Sequence, residues 1–133
     1  MRMRRVLFVC AHNASRSQMA EELANHLGKG VIEARSAGTH PTESVNPLVV
    51  EAMREIGYDV SGMRPKEITP DIEEWADRII TMGCGVVCPV FSNPVEDWAL
   101  DDPYGQPIEK VREIRDEIER RVRQLVDETS EEE

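Results

Sequence analysis

The stretch VLFVCAHNASRSQMAEELANHL, Val6 to Leu27, changes its hydrophobic period once and holds a polar loop at the change. Val6-Leu7-Phe8-Val9 is a continuous apolar run, short and rich in branched residues, as expected of a strand buried on both faces. Met19, Ala20, Leu23, Ala24 and Leu27 recur at spacings of three and four, with Glu21 and Glu22 on the polar side, which predicts an amphipathic helix. The loop between them opens on Cys10 and closes on Arg16 and Ser17. A thiol at the C-terminal end of a buried strand, facing the first turn of the next helix, stands where α/β folds bind ligands.

The chemistry of such a loop follows from its parts. The first amides of a helix have no partners inside it, and the dipole adds partial positive charge there. Small residues in the loop (Ala11, Ala14, Ser15) let further amides turn inward and form a nest for an oxyanion. The guanidinium of Arg16 is a planar, permanently charged fork that matches two oxygens of a tetrahedral anion. The same field favours the thiolate of Cys10, and Ser17 is placed to donate a hydrogen bond to it. Residues 11–17, that is Ala11, His12, Asn13, Ala14, Ser15, Arg16 and Ser17, are therefore the candidate anion-binding set, with Cys10 as nucleophile beneath the anion. The plainer reading of Cys10 is a buried packing residue, since free cysteine is among the most buried types.

The composition bounds the rest. With 133 residues, the chain is expected to form one domain, residues 1–133. Hydrophobic content of 40% and charged content of 32% are ordinary for a globular protein. No apolar run approaches a membrane span, and the four residues after the basic start are too short for an export signal, so the expected location is cytoplasmic. Sixteen basic and 26 acidic residues leave a net charge of −10, which argues against nucleic acid and anionic membranes as partners. An oxyanion site on such a chain has to generate its own positive field locally. Three cysteines, an odd number in a chain with no export signal, suggest reactive thiols rather than staples.

Outward from the first helix, Gly28-Lys29-Gly30 reads as a stop and Val31 to Ala34 as a second strand ended by Ser36-Ala37-Gly38. Asn46-Pro47 is a cap followed by proline, opening a helix through Ile56 that Gly57 ends. Thr69-Pro70 repeats that signal for a short helix holding Trp75. Arg78 to Met82 reads as a third strand, Gly83 to Pro89 as a loop, and Val95 to Trp98 as a short fourth strand. From Pro107 a long helix puts Ile108, Val111, Ile114, Ile118, Val122 and Leu125 on one stripe, its Arg and Glu residues on a solvated face, and its last residues from Ser130 fray. Strands alternating with helices predict an α/β fold with a parallel sheet flanked by helices.

Cys84 and Cys88 lie in the loop from Gly83 to Pro89, within TMGCGVVCPV, with three residues between them. Packing, a zinc site completed by Cys10 and a histidine, and redox chemistry all remain open from spacing alone.

C-x5-R-S between a first strand and a first helix resembles the low-molecular-weight protein tyrosine phosphatase superfamily. The longer string CAHNASRSQMAEE resembles its arsenate reductase branch, whose members couple to thioredoxin or a similar dithiol. SAGT from Ser36, VNPLVVEAMREIGYDVS from Val45, PKEI from Pro65 and EDWALDDP from Glu96 extend the likeness from about Arg4 to Val126. The resemblance implies a four-stranded parallel sheet, arsenate as substrate, and no bound cofactor or metal beyond an external dithiol such as thioredoxin. It implies a relay in which Cys10 attacks arsenic, Cys84 attacks Cys10, and Cys88 attacks Cys84. It also makes the residue before Pro103 the proton donor, so that Asp102 is favoured over Asp101. Some members hold potassium at positions matching Asn13, Glu21 and Ser36, with a carboxylate aligning near Lys66; the lysine here implies no potassium requirement. The alternative within the superfamily is a phosphatase using Cys10, Arg16 and Asp102, which Tyr104 after Pro103 suits. Cysteines four apart on an intact helix have β-carbons about 6 Å apart, against about 3.8 Å in a disulfide, so a Cys84–Cys88 bond requires any helix there to unwind, with Gly83 and Gly85 easing the change.

Overall fold

The computed structural model describes residues 3–83 and 95–131. Cys84, Cys88 and the other residues of 84–94 lie outside the described residues.

The opening apolar run is the centre of the molecule. β1 (Arg4–Cys10) pairs in parallel with β2 (Ile32–Gly38) on one side and β3 (Arg78–Thr81) on the other. β4 (Val95–Asp97) adds in parallel to β3, which gives a four-stranded sheet in the order β2-β1-β3-β4. Because side chains alternate across a strand, Val6, Phe8 and Cys10 join one core and Leu7 and Val9 another. Removing each such side chain from water contributes about 1.5–3 kcal/mol, which is why this segment carries no polar residue between Arg5 and Cys10.

The larger core is covered by α1 (Arg16–Leu27), α2 (Pro47–Glu55) and α4 (Ile108–Glu131). α3 (Pro70–Trp75) contributes Ile72 and Trp75 to the smaller one. The expected helix starts are seen: Asn46 accepts from the Leu48 amide at 3.0 Å and Thr69 from the Ile72 amide at 3.3 Å. Trp98 is buried with its ring 5.5 Å from that of Phe8.

Three expectations need correction. Ser36-Ala37-Gly38 does not end the second strand; these residues stay in register with Phe8, Val9 and Cys10, so the ladder reaches the cysteine itself. The last helix does not fray at Ser130 but runs to Glu131, since buried Thr129 returns its hydroxyl to the Leu125 carbonyl at 2.7 Å. The charged face of α4 is not wholly solvated either. Arg115 is buried, its guanidinium 2.8 Å from both the Ala52 carbonyl and the Glu55 carboxylate, and Arg112 grips the same Glu55. The pairs Arg121–Glu117 and Arg123–Glu119 do form the expected outer lacing.

Sheet order places the site. The chain leaves β1 toward β2 and later returns on the other side as β3, so neighbouring connections diverge at the C-terminal end of β1. That divergence opens the crevice in which open α/β sheets bind ligands, and Cys10 lies at its base.

Candidate active site

Cys10 is the last residue of β1 and is only 2% exposed. From it the loop climbs to Arg16, the first residue of α1. The carbonyls of Ala11, His12 and Ala14 accept from the amides of His40, Thr42 and Asn46 at 2.7, 3.2 and 2.9 Å. In a trans peptide the following N–H points opposite to its C=O. Tying these carbonyls outward therefore turns the amides of His12, Asn13 and Ser15 away from residues 40–46 and into the loop. Gly38 makes the close approach of strand to loop feasible, because a Cβ there would lie 2.7 Å from the Ala11 carbonyl and 2.9 Å from the Asn13 nitrogen.

The sulfur of Cys10 sits 2.8 Å from the Ser17 hydroxyl, and that hydroxyl accepts from Asn13 Nδ2 at 2.7 Å. With Cys10 as thiolate, an acceptor only, Ser17 is the donor. Asn13 is fully buried and holds a left-handed backbone at φ 52°. It stands behind the loop rather than in its mouth, as does Ser17.

Arg16 is 5% exposed and is anchored by one nitrogen, Nη1, which donates to the carbonyls of Met82 and, at 2.9 Å, Leu100. Its Nη2 lies 3.7 Å from an Asp102 oxygen, and its buried Nε has no partner among the described residues. The fork thus keeps one edge for a ligand. Gly83, at φ 84°, fits beside it, since a Cβ would come within 2.5 Å of the Leu100 carbonyl and 3.1 Å of Arg16.

The two candidate acids diverge. Asp102 lines the cleft, with Oδ1 accepting from the Tyr104 amide at 2.9 Å. Asp101 turns outward to Lys110 at 3.0 Å. A third carboxylate, Asp97, went unnoticed in the sequence. It accepts from Thr81, Gly83 and Ala99 at 2.7, 2.9 and 3.1 Å and so ties the end of β3 to the segment before Asp102. Burial raises its pKa, but those three hydrogen bonds and the Arg16 charge outweigh it and leave the group below the ordinary aspartate value.

The cleft over Cys10 has a volume of about 510 Å³. Cys10, His12, Ala14, Ser15 and Arg16 form one side, residues 42–48 a second, and Asp102 and Tyr104 a third. Tyr104 is 77% exposed at the rim, and no sequence signal pointed to the Thr42–Leu48 wall. Of the expected anion-binding set, Ala11 alone contributes neither to this lining nor to the Cys10–Ser17–Asn13 chain through its side chain; its carbonyl anchors His40. His12 is exposed.

Beneath the loop, Ser36 donates to Glu21 at 2.7 Å, and the ammonium of Lys66 lies 3.6 Å from the same oxygen. The lysine thus puts its positive charge beside that carboxylate. Among the described residues no group of three or more His, Cys, Asp or Glu is placed to hold a metal ion.

Compared with known proteins, the chain matches the model for low molecular weight phosphotyrosine protein phosphatases over residues 5–133. A Halobacterium salinarum protein provisionally named an arsenate reductase is 45% identical over 127 residues, covering 91% of this chain and 89% of its own. The thioredoxin-dependent arsenate reductase of Corynebacterium glutamicum superposes with a TM-score of 0.84 at 39% identity, over 98% of this chain and 64% of that longer one. An arsenate reductase solved in a phosphate-binding state gives a TM-score of 0.87 at 37% identity, over 96% of this chain and 99% of that one.

Proposed function

The chain belongs to the low molecular weight phosphotyrosine protein phosphatase family, and from that premise we propose that it is an arsenate reductase working through a relay of three thiols. The observation that carries the reading is the buried Cys10 sulfur in one cleft with Arg16, whose buried Nε has no hydrogen-bond partner among the described residues. The arsenate reductases among its relatives support the substrate, and the phosphate-binding neighbour supports a tetrahedral oxyanion in the cleft.

In the proposed reaction, arsenate enters with two oxygens on the Arg16 edge and others on the loop amides. The Cys10 thiolate attacks arsenic while Asp102 protonates the departing oxygen, which leaves as water. Cys84 then attacks the Cys10 sulfur. The sulfur–arsenic bond breaks with its electron pair going to arsenic, so arsenite departs and a Cys10–Cys84 disulfide remains. Cys88 attacks Cys84, releasing the Cys10 thiolate and leaving a Cys84–Cys88 disulfide. An external dithiol of the thioredoxin type reduces that bond and accepts the oxidation; no bound cofactor takes part. The proposal places the reaction in a single domain, residues 1–133, acting in the cytoplasm; separately, among the described residues no helix is long and apolar enough to cross a membrane.

Tyr104 at the rim, and a cleft larger than a free oxyanion requires, favour a second reading as a phosphatase for an organic phosphate. One experiment separates the two. A single turnover with arsenate should consume two thiols, and mass spectrometry should map the bond to Cys84 and Cys88. Cys84→Ser should abolish arsenite formation. Arsenate left unreduced by thiol-intact protein, with phosphate release from an aryl ester surviving both Cys84→Ser and Cys88→Ser, would establish the phosphatase instead.

A further inference from the structure

Gln18 lies in the first turn of α1, is fully buried, and touches neither the cleft nor the sulfur. A buried amide in a helix that otherwise faces the core with Met19, Ala20 and Leu23 needs a reason beyond packing. Its Nε2 converges on three oxygens: the Asn13 carbonyl at 3.0 Å, Asn13 Oδ1 at 3.1 Å and the Arg64 carbonyl at 3.0 Å. The flipped amide would set an oxygen against all three, so this orientation is the one the surroundings permit.

Those contacts act on one residue. Asn13 holds φ 52°, a conformation that non-glycine residues occupy at a cost and keep only when held. Gln18 grips it by backbone and side chain together, and the Lys66 amide takes the same Oδ1 at 2.8 Å. With Oδ1 engaged by two donors, Nδ2 faces Ser17 at 2.7 Å. The Ser17 oxygen then accepts from Asn13 and has its proton free for the sulfur of Cys10, 2.8 Å away. Each link leaves the next with one orientation.

We propose that Gln18 is a positioning residue for the nucleophile, holding Asn13 so that the Ser17 hydroxyl donates its hydrogen bond to the Cys10 thiolate. The inference rests on Cys10 being the nucleophile, but it needs no arsenate for its test. Its readout is the pH dependence of Cys10 alkylation, which a purely structural residue would leave unmoved.

The test background is Cys84→Ser with Cys88→Ser, which leaves Cys10 as the only thiol of the three. Gln18→Met and Gln18→Leu keep the volume and remove the amide. Either variant that folds, by far-UV circular dichroism and a cooperative melt, should show its iodoacetamide rate–pH profile displaced to higher pH by about one unit, slower at pH 7 and approaching the background rate at high pH. One unit is a tenfold change in the ionisation constant, the effect of losing about one charge-assisted hydrogen bond to the charged form. Combined with Ser17→Ala, Gln18→Met should slow the reaction no further than Ser17→Ala does alone, because both act on one hydrogen bond. Alkylation profiles that coincide with the background would overturn the proposal, and so would failure of both variants to fold, which would make Gln18 a structural residue. If the background itself reacted no faster at pH 7 than an unstructured thiol, the nucleophile reading would fall and the role of Gln18 with it.

Discussion

Asp101 and Asp102 are chemically identical and adjacent, yet they meet opposite partners. Lys110, at the start of α4, draws Asp101 outward, while Asp102 faces Arg16 across 3.7 Å. Nothing in the local sequence distinguishes them, because the distinction comes from a lysine eight or nine residues away and an arginine more than eighty away. Asp102→Asn is expected to lower kcat for arsenate by about a hundredfold, the usual weight of a positioned general acid. Asp101→Asn should change it by no more than about twofold, since this carboxylate faces solvent and Lys110 rather than the cleft. Steady-state kinetics on the two variants checks both. His12 makes the same point from the other side: the sequence places it inside the loop, and the structure leaves it exposed at the cleft edge.

At the scale of elements, the strand-loop-helix unit was readable because period and loop chemistry agreed over residues 6–27. The join between β3 and β4 was not. Gly83 reads in the sequence as a residue that eases unwinding, but in the fold it is the point where the chain leaving β3 passes Leu100 and Arg16 too closely for any side chain. Asp97 ties the same junction through Thr81, Gly83 and Ala99, and Ala99 itself sits at φ 27°. Gly83→Ala should therefore cost about 1–3 kcal/mol of stability, from a positive φ and a backbone clash together. Because the same clash reaches the nitrogen that anchors the fork, inhibition by inorganic phosphate should weaken as well. A thermal melt and a phosphate inhibition constant measure the two effects. A variant with a lowered melting temperature and unchanged phosphate inhibition would mean that this junction does not set the fork.

For the whole molecule, the net charge of −10 surrounds the cleft proposed to take an anion. The loop amides and Arg16 act at contact range, whereas the excess of carboxylates acts over the screening length, about 30 Å at 0.01 M salt and about 8 Å at 0.15 M. Raising sodium chloride between those values should thus lower KM for arsenate, by up to about threefold, with kcat little changed; a KM that rises with salt would show that the local field dominates even at distance. The sequence by itself determined the alternation of strands and helices, the buried strand, and the loop that runs from Cys10 to Arg16 between β1 and α1, since each depends on residues close together in the chain. Only the tertiary structure decided which aspartate faces the cleft, which carbonyls hold Arg16, and that Gln18 and Asp97 stand behind the site. Those roles depend on contacts between residues far apart in sequence, or on orientations that no spacing encodes, and they exist only once the sheet brings β1, β3 and the segment after β4 to one end.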